Sequence, residues 1–332
     1  MDRRPEELQF LGFFGIYKES YKIVLTWRKV FSKITLALVL PLSFIFLAHI
    51  QLSELIGTKI DTSEDALDNT KPGSPKQNEI LHRIWSEWTA YLLIKVAYFV
   101  FVIIFALLST SAVVYTIACI YTAKDLTFKK VMSVVPKVWK RLMITFLWTV
   151  LILLGYSTLT VMVMIFFIFL MGIGMATLMV LIIVFTLYFI GFAYIIVLWN
   201  LASVVSVLED VHGIAAMEKS NALIKGKAWT TTAIFLKSQI AVMSISILFQ
   251  KLVVHGESLG LTARVGFGIL FFMLLVKLIL FSLVIQTVFY FVCKSYHNQS
   301  IDKSCLADHL EVYWGEYVPL NSKAVQLEPL YV

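Results

Sequence analysis

Between Leu142 and Leu208 the chain carries no charged side chain, only a stretch dense in Leu, Ile, Val, Phe and Met. A hydrocarbon core about 30 Å thick is crossed by about 20 apolar helical residues, so this stretch holds two crossings with a turn between them. Soluble domains do not read this way. Only 15% of the residues are charged and 59% are hydrophobic, whereas soluble domains carry roughly 25% charged residues. The formal net charge is +7, but the Lys and Arg flank the apolar runs. That placement is the pattern of membrane topology and not of a nucleic-acid footprint, so no nucleic-acid partner is expected.

The apolar runs predict an all-α bundle with six spans, at Ile34–Leu52, Tyr91–Tyr121, Leu142–Leu170, Met175–Leu208, Thr232–Val254 and Gly266–Cys293. Gly172 and Gly174 punctuate the long uncharged stretch as its turn. Pro41 falls in the first span, where neighbouring helices can accommodate it. About thirty polar and basic residues precede that span, so it reads as an uncleaved anchor and not as a signal peptide. The division that follows is a cytosolic arm (1–33), a membrane domain (34–293) with cytosolic loops at 122–141 and 209–231, and a cytosolic tail (294–332).

Orientation comes from Lys and Arg. The arm carries Lys18, Lys22, Arg28, Lys29 and Lys33, the loop after span two carries Lys129, Lys130, Lys137, Lys140 and Arg141, and the loop after span four carries Lys219, Lys225 and Lys227. On the opposite side the Gly172 turn has no cation and the last loop has Arg264, with Lys251 at its edge, so the positive-inside rule puts both termini in the cytosol. The exoplasmic loop 53–89 is acidic around Asp61, Glu64, Asp65 and Asp68 and contains Pro72-Gly73-Ser74-Pro75. That composition predicts a flexible loop.

Three cytosolic segments, Tyr17–Arg28, Lys130–Arg141 and Met217–Ala228, align without gaps on Ser20, Ser133 and Ser220. Each mixes apolar and basic positions at roughly helical spacing and then enters a span. Such a helix lies in the interface, its apolar face at the acyl boundary and its cations toward anionic lipid. The candidate membrane-surface cations are Lys22, Arg28, Lys29, Lys137, Lys140, Arg141, Lys225 and Lys227. The expected architecture is three repeats of interfacial helix plus transmembrane hairpin. Bracing of the spans by these helices explains the pattern as well as any transport role would.

Leu208-Glu209-Asp210 followed by Gly213–Trp229 resembles a segment of a broad membrane superfamily, which includes the membrane domain accompanying some glycerophosphodiester phosphodiesterases. Pro5–Ile16 and Gly315–Leu320 resemble a plant family of uncharacterised multi-pass membrane proteins. The resemblance implies the architecture and no chemistry, because the phosphodiesterase activity belongs to a separate soluble domain for which this chain has no room.

Catalytic patterns are missing from the sequence. Its six histidines show no metal spacing, and no Walker A, G-x-S-x-G or G-x-G-x-x-G occurs. No Asp or Glu falls inside a predicted span, which removes the usual proton relay. Neither enzyme chemistry nor a cofactor is expected. Two intramembrane cations draw attention. Lys95, near the exoplasmic end of span two, can snorkel to the headgroups. Lys277 lies close to the bilayer centre, where a cation costs about 2.5–3.5 kcal/mol. It is the candidate site for an anionic headgroup or solute, with Asn200, Gln239 and Gln286 as polar neighbours. A tilted helix that lets it snorkel accounts for it equally well.

Cys119, Cys293 and Cys305 face the reducing side on this topology, so no disulfide is expected, and juxtamembrane Cys293 fits palmitoylation. Tyr317 and Leu320 fit a Tyr-x-x-apolar sorting signal, and the Asn298 sequon falls on the cytosolic side and should stay unmodified. The expected function is a non-enzymatic membrane protein that organises lipids, anionic ones included, or partner proteins in the secretory pathway or plasma membrane. The alternative is a transporter or channel for an anionic or amphipathic solute.

Overall fold

The computed structural model describes residues 11–70, 74–122, 127–172, 174–256 and 259–297, and all regular structure among them is helical. The helices are α1 (Phe13–Thr26), α2 (Arg28–Ile34), α3 (Leu40–Asp68), α4 (Pro75–Tyr121), α5 (Phe128–Met171), α6 (Met175–Leu208), α7 (Ile214–Ile224), α8 (Ala228–Phe249) and α9 (Leu261–Tyr296). Among the described residues six helical stretches are long and apolar enough to cross a membrane, Arg28–Asp68, Pro75–Tyr121, Phe128–Met171, Met175–Leu208, Ala228–Val254 and Leu261–Tyr296. The chain is a helical multi-pass membrane protein.

The helices outrun the apolar windows. The segment expected to be a flexible loop, 53–89, is mostly helix, since α3 continues to Asp68 and α4 begins at Pro75. Its acidic composition hides apolar positions that bury, Ile60 and Ile80, and Trp88 Nε1 donates to Glu64 Oε1 at 3.4 Å. Pro72 and Gly73 lie outside the described residues.

Two compact units divide the chain. The first takes in the described parts of Met1–Thr26, Thr110–Thr232 and Val284–Val332. Its interior is made of helix ends buried on every side: Ala112–Cys119 of α4, Leu201–Leu208 of α6 and Val288–Cys293 of α9. A helix apolar all round needs cover all round. Part of that cover comes from α1, the first turns of α5 and α7. The three bury Ile16, Ser20 and Ile23, then Val131, Val134, Val135 and Val138, then Ala216, Met217, Ser220, Leu223 and Ile224.

The α5–α6 hairpin of this unit turns through Gly172, whose φ of 67° lies in the left-handed region. Midway along it, Tyr156 Oη donates to the Leu187 carbonyl at 3.2 Å, and a Cβ on Gly191 would meet that hydroxyl oxygen at 2.2 Å. A residue without a side chain is therefore what lets α5 and α6 close up here, as small residues do at membrane helix contacts.

The second unit comprises Trp27–Ser109 and Ala233–Leu283. Its apolar core joins Leu47 of α3, Phe249 and Val254 from the end of α8 and its extension, and Phe271 and Leu275 of α9. Pro41 follows a π-helical turn, Thr35–Val39. A helical proline clashes with the carbonyl four residues back, here that of Ala37, and the widened turn makes room for the ring.

Candidate functional site

The basic side chains picked out by the sequence differ in exposure. In the first unit Lys22, Lys137, Lys140 and Lys225 are exposed, as are Arg28 and Lys29 in the second. Arg141 instead pairs with Asp210 at 2.6 Å, and Lys227 sits 5.2 Å above the Tyr296 ring. Burial pushes the Lys227 ammonium below its ordinary value. The outer face of α1 mixes types: Phe14, Tyr21 and Leu25 are 85%, 55% and 52% exposed, beside exposed Lys18 and Lys22.

At the C-terminal end of α6 the chain turns through a polar node. Tyr290 Oη donates to Glu209 Oε1 at 2.5 Å, Lys294 Nζ donates to the same oxygen at 3.2 Å, and Lys219 pairs with Oε2. Burial pushes the Glu209 carboxyl up, but the bonds from Lys219 and Tyr290 and the two ammonium charges outweigh it and hold it below the usual value. The next turn is fixed at Gly213, with φ 65° and its amide donating to Thr145 Oγ1 at 2.8 Å. Thr145 Oγ1 also shares a hydrogen bond of 2.7 Å with Ser206 Oγ.

In the second unit, Lys95 is not a free snorkelling cation. Its ammonium donates to His49 Nε2 and to Ser53 Oγ, each at 3.0 Å, and lies 4.9 Å from the Tyr91 ring centroid. Tyr98 stacks on the His49 ring at 3.6 Å. The sequence signal was available: His49 and Ser53 are four apart on one helix, and Tyr91, Lys95 and Tyr98 share one face of the next.

The same unit holds a groove of about 630 Å³. Its α3 wall is Phe44, Leu47, Ala48 and Gln51, and Phe249 and Val253 close it from α8 and its extension. Along α9 the lining descends from Arg264 and Val265 through Gly268 and Ile269 to Phe272. Arg264 Nε donates to the Val253 carbonyl at 2.9 Å and Nη2 to the Val254 carbonyl at 3.2 Å. Sequence reading passed over Arg264 as a loop cation, because its neighbours come from distant helices.

A family model described as "Domain of unknown function (DUF8558)" matches residues 1–330. The chain belongs to the DUF8558 family. No curated protein and no solved structure matches it.

The remaining sequence candidates of this DUF8558 member fall in both units. Lys277 is exposed on α9, with no hydrogen-bond or ion-pair partner among the described residues, and Gln239 of the same unit is also exposed. In the first unit Gln286 is buried and donates to Ser203 Oγ at 3.2 Å, while Ser203 donates to the Asn200 carbonyl at 2.7 Å. Gln286 and Asn200 are thus joined through Ser203 in helix packing. Cys119 and Cys293 are buried and form no disulfide among the described residues, and full burial leaves no room for an acyl chain on Cys293. Tyr317, Leu320, Cys305 and the Asn298 sequon lie outside the described residues. Among the described residues no group of three or more His, Cys, Asp or Glu is placed to hold a metal ion.

Proposed function

We propose that the protein is a non-enzymatic membrane component that organises lipid around itself at the cytosolic interface of an endomembrane or the plasma membrane. The observation that carries this reading is the outer face of α1. The helix buries Ile16, Ser20 and Ile23 against its own unit, yet leaves Phe14, Tyr21 and Leu25 exposed beside exposed Lys18 and Lys22. Three large apolar groups facing bulk water would be costly, whereas at a headgroup boundary they insert while the lysines meet anionic phosphates.

The sidedness is part of the proposal. Alternate segments differ in charge: Lys18, Lys22, Arg28 and Lys29 precede the first span and Lys129, Lys130, Lys137 and Lys140 follow the second, while the intervening 53–89 is acidic around Asp61, Glu64, Asp65 and Asp68. That segregation supports both termini on the cytosolic side. A three-fold repeat also stays within the proposal, with one change of register. The buried positions 16, 19, 20 and 23 of α1 correspond to 131, 134, 135 and 138 of α5, which pairs Ser20 with Val135 and not with exposed Ser133. The plant setting and the likeness of Gly213–Trp229 to a phosphodiesterase-associated membrane domain belong here too, and rest on those residues alone.

A nitroxide attached at Tyr21→Cys tests the placement of α1 in the full-length protein in bilayers. The expected spectrum shows oxygen accessibility typical of the acyl boundary. Accessibility to water-soluble relaxants alone would sink the interfacial reading.

A further inference from the structure

We propose that the groove between α3 and α9 is a binding site for one anionic phospholipid, with the phosphate on Arg264 and one acyl chain lying along α9. The inference rests on the lipid-organising reading and extends it to the opposite leaflet, because on the proposed topology Arg264 and Gln51 stand at the exoplasmic ends of their spans.

The two ends of the groove differ in polarity. Gln51 and Arg264 are its polar lining, and Arg264 lies one turn inside the start of α9 at Leu261. A helix end of a membrane span lies near the headgroup level, where phosphates are found. From there the lining turns apolar, through Val265 and Ile269 to Phe272 on α9 and from Leu47 to Phe44 on α3. Polarity therefore falls in the direction in which a lipid's own polarity falls.

The guanidinium is set for an anion. Its Nε and one Nη2 hydrogen are spent on the Val253 and Val254 carbonyls, which fixes the plane of the group. An arginine carries five N–H donors, so three remain for a ligand, and a planar fork matches phosphate oxygens well. Among the described residues no carboxylate lines the groove to neutralise the charge.

The space suits a chain better than a solute from water. The groove opens along exposed Phe44, Val265 and Ile269, all apolar, so its mouth faces the bilayer and its occupant comes from there. Its floor is shallow in side chain, with Ala48 on one helix and Gly268 on the other, and a Cβ at Gly268 would come no closer than 3.9 Å, to Val253 Cγ1. The volume of about 630 Å³ falls within the range of about 300–1,000 Å³ typical of ligand sites.

The test uses the full-length protein in nanodiscs of equal phosphatidylglycerol and phosphatidylcholine, with retained lipid counted by native mass spectrometry after mild extraction. Wild type is expected to keep one phosphatidylglycerol in preference to phosphatidylcholine. Arg264→Gln should lower that preference about tenfold, the scale of one lost charge-assisted contact, and Arg264→Lys should recover part of it. Gly268→Leu, which leaves Arg264 in place, should reduce retention of both lipids by filling the floor. Equal retention by wild type, Arg264→Gln and Gly268→Leu would overturn the site while leaving the lipid-organising reading intact. No enrichment of anionic lipid in the wild-type discs would overturn that reading as well.

Discussion

The Gly213 amide donates to Thr145 Oγ1 at 2.8 Å, binding the entry of α7 to the flank of α5. The bond is wholly buried, and Gly213 holds φ at 65° with Trp148 Cδ1 only 2.9 Å from where a Cβ would sit. Gly213→Ala therefore meets both the left-handed backbone cost of about 1–2 kcal/mol and an overlap with the indole. Thr145→Val strands the amide at about 1–3 kcal/mol. Both variants should unfold at lower temperature in detergent, Gly213→Ala by more. An unchanged melting temperature for Gly213→Ala would mean that this turn is not held as described.

The Glu209 node gives a pH dependence with a definite sign. A carboxyl held below its ordinary value stabilises the fold above its unfolded-state pKa, and that contribution is lost as pH falls through the lower folded value. Glu209→Gln should therefore melt below wild type at neutral pH. The gap should stay constant down to about pH 5 and close below about pH 4.5. Glu209→Ala, which leaves Lys219 and Lys294 without their shared partner, should cost about 3 kcal/mol. A gap that widens on acidification would contradict the assignment.

Lys277 has no partner among the described residues and stands exposed in an apolar stretch of α9. Lys277→Leu should leave folded yield and lipid retention unchanged, and raise the melting temperature if the cation reaches the hydrocarbon. A solute flux in proteoliposomes that vanishes with this substitution would favour the transport alternative instead.

The long apolar helices were legible because burial in lipid leaves no room for charge, and the turn at Gly172 was legible because little else punctuates 142–208. What escaped depends on partners far apart in sequence. The 53–89 segment looked unstructured by composition, although Ile60, Ile80 and the Trp88–Glu64 bond give its helices something to hold. Lys95 read as a solitary cation until His49 and Ser53 arrived from the preceding helix. The three aligned serines differ in burial, since Ser133 is exposed and bonds its own helix at Lys130, whereas Ser20 and Ser220 are buried. Glu209 and Asp210 stood out only through resemblance, since their partners Arg141, Tyr290 and Lys294 lie far off in sequence, with Lys219 nearer.

The most direct test of the lipid-organising account is the lipid composition of native nanodiscs cut with polymer around the full-length protein, compared with the bulk of the same membrane. With interfacial lysines worth about 1 kcal/mol each against anionic lipid, wild-type discs should be enriched at least about twofold in anionic lipid. Discs of the Lys18→Gln, Lys22→Gln variant should fall back toward the bulk. Wild-type discs with the composition of the bulk membrane would contradict the account.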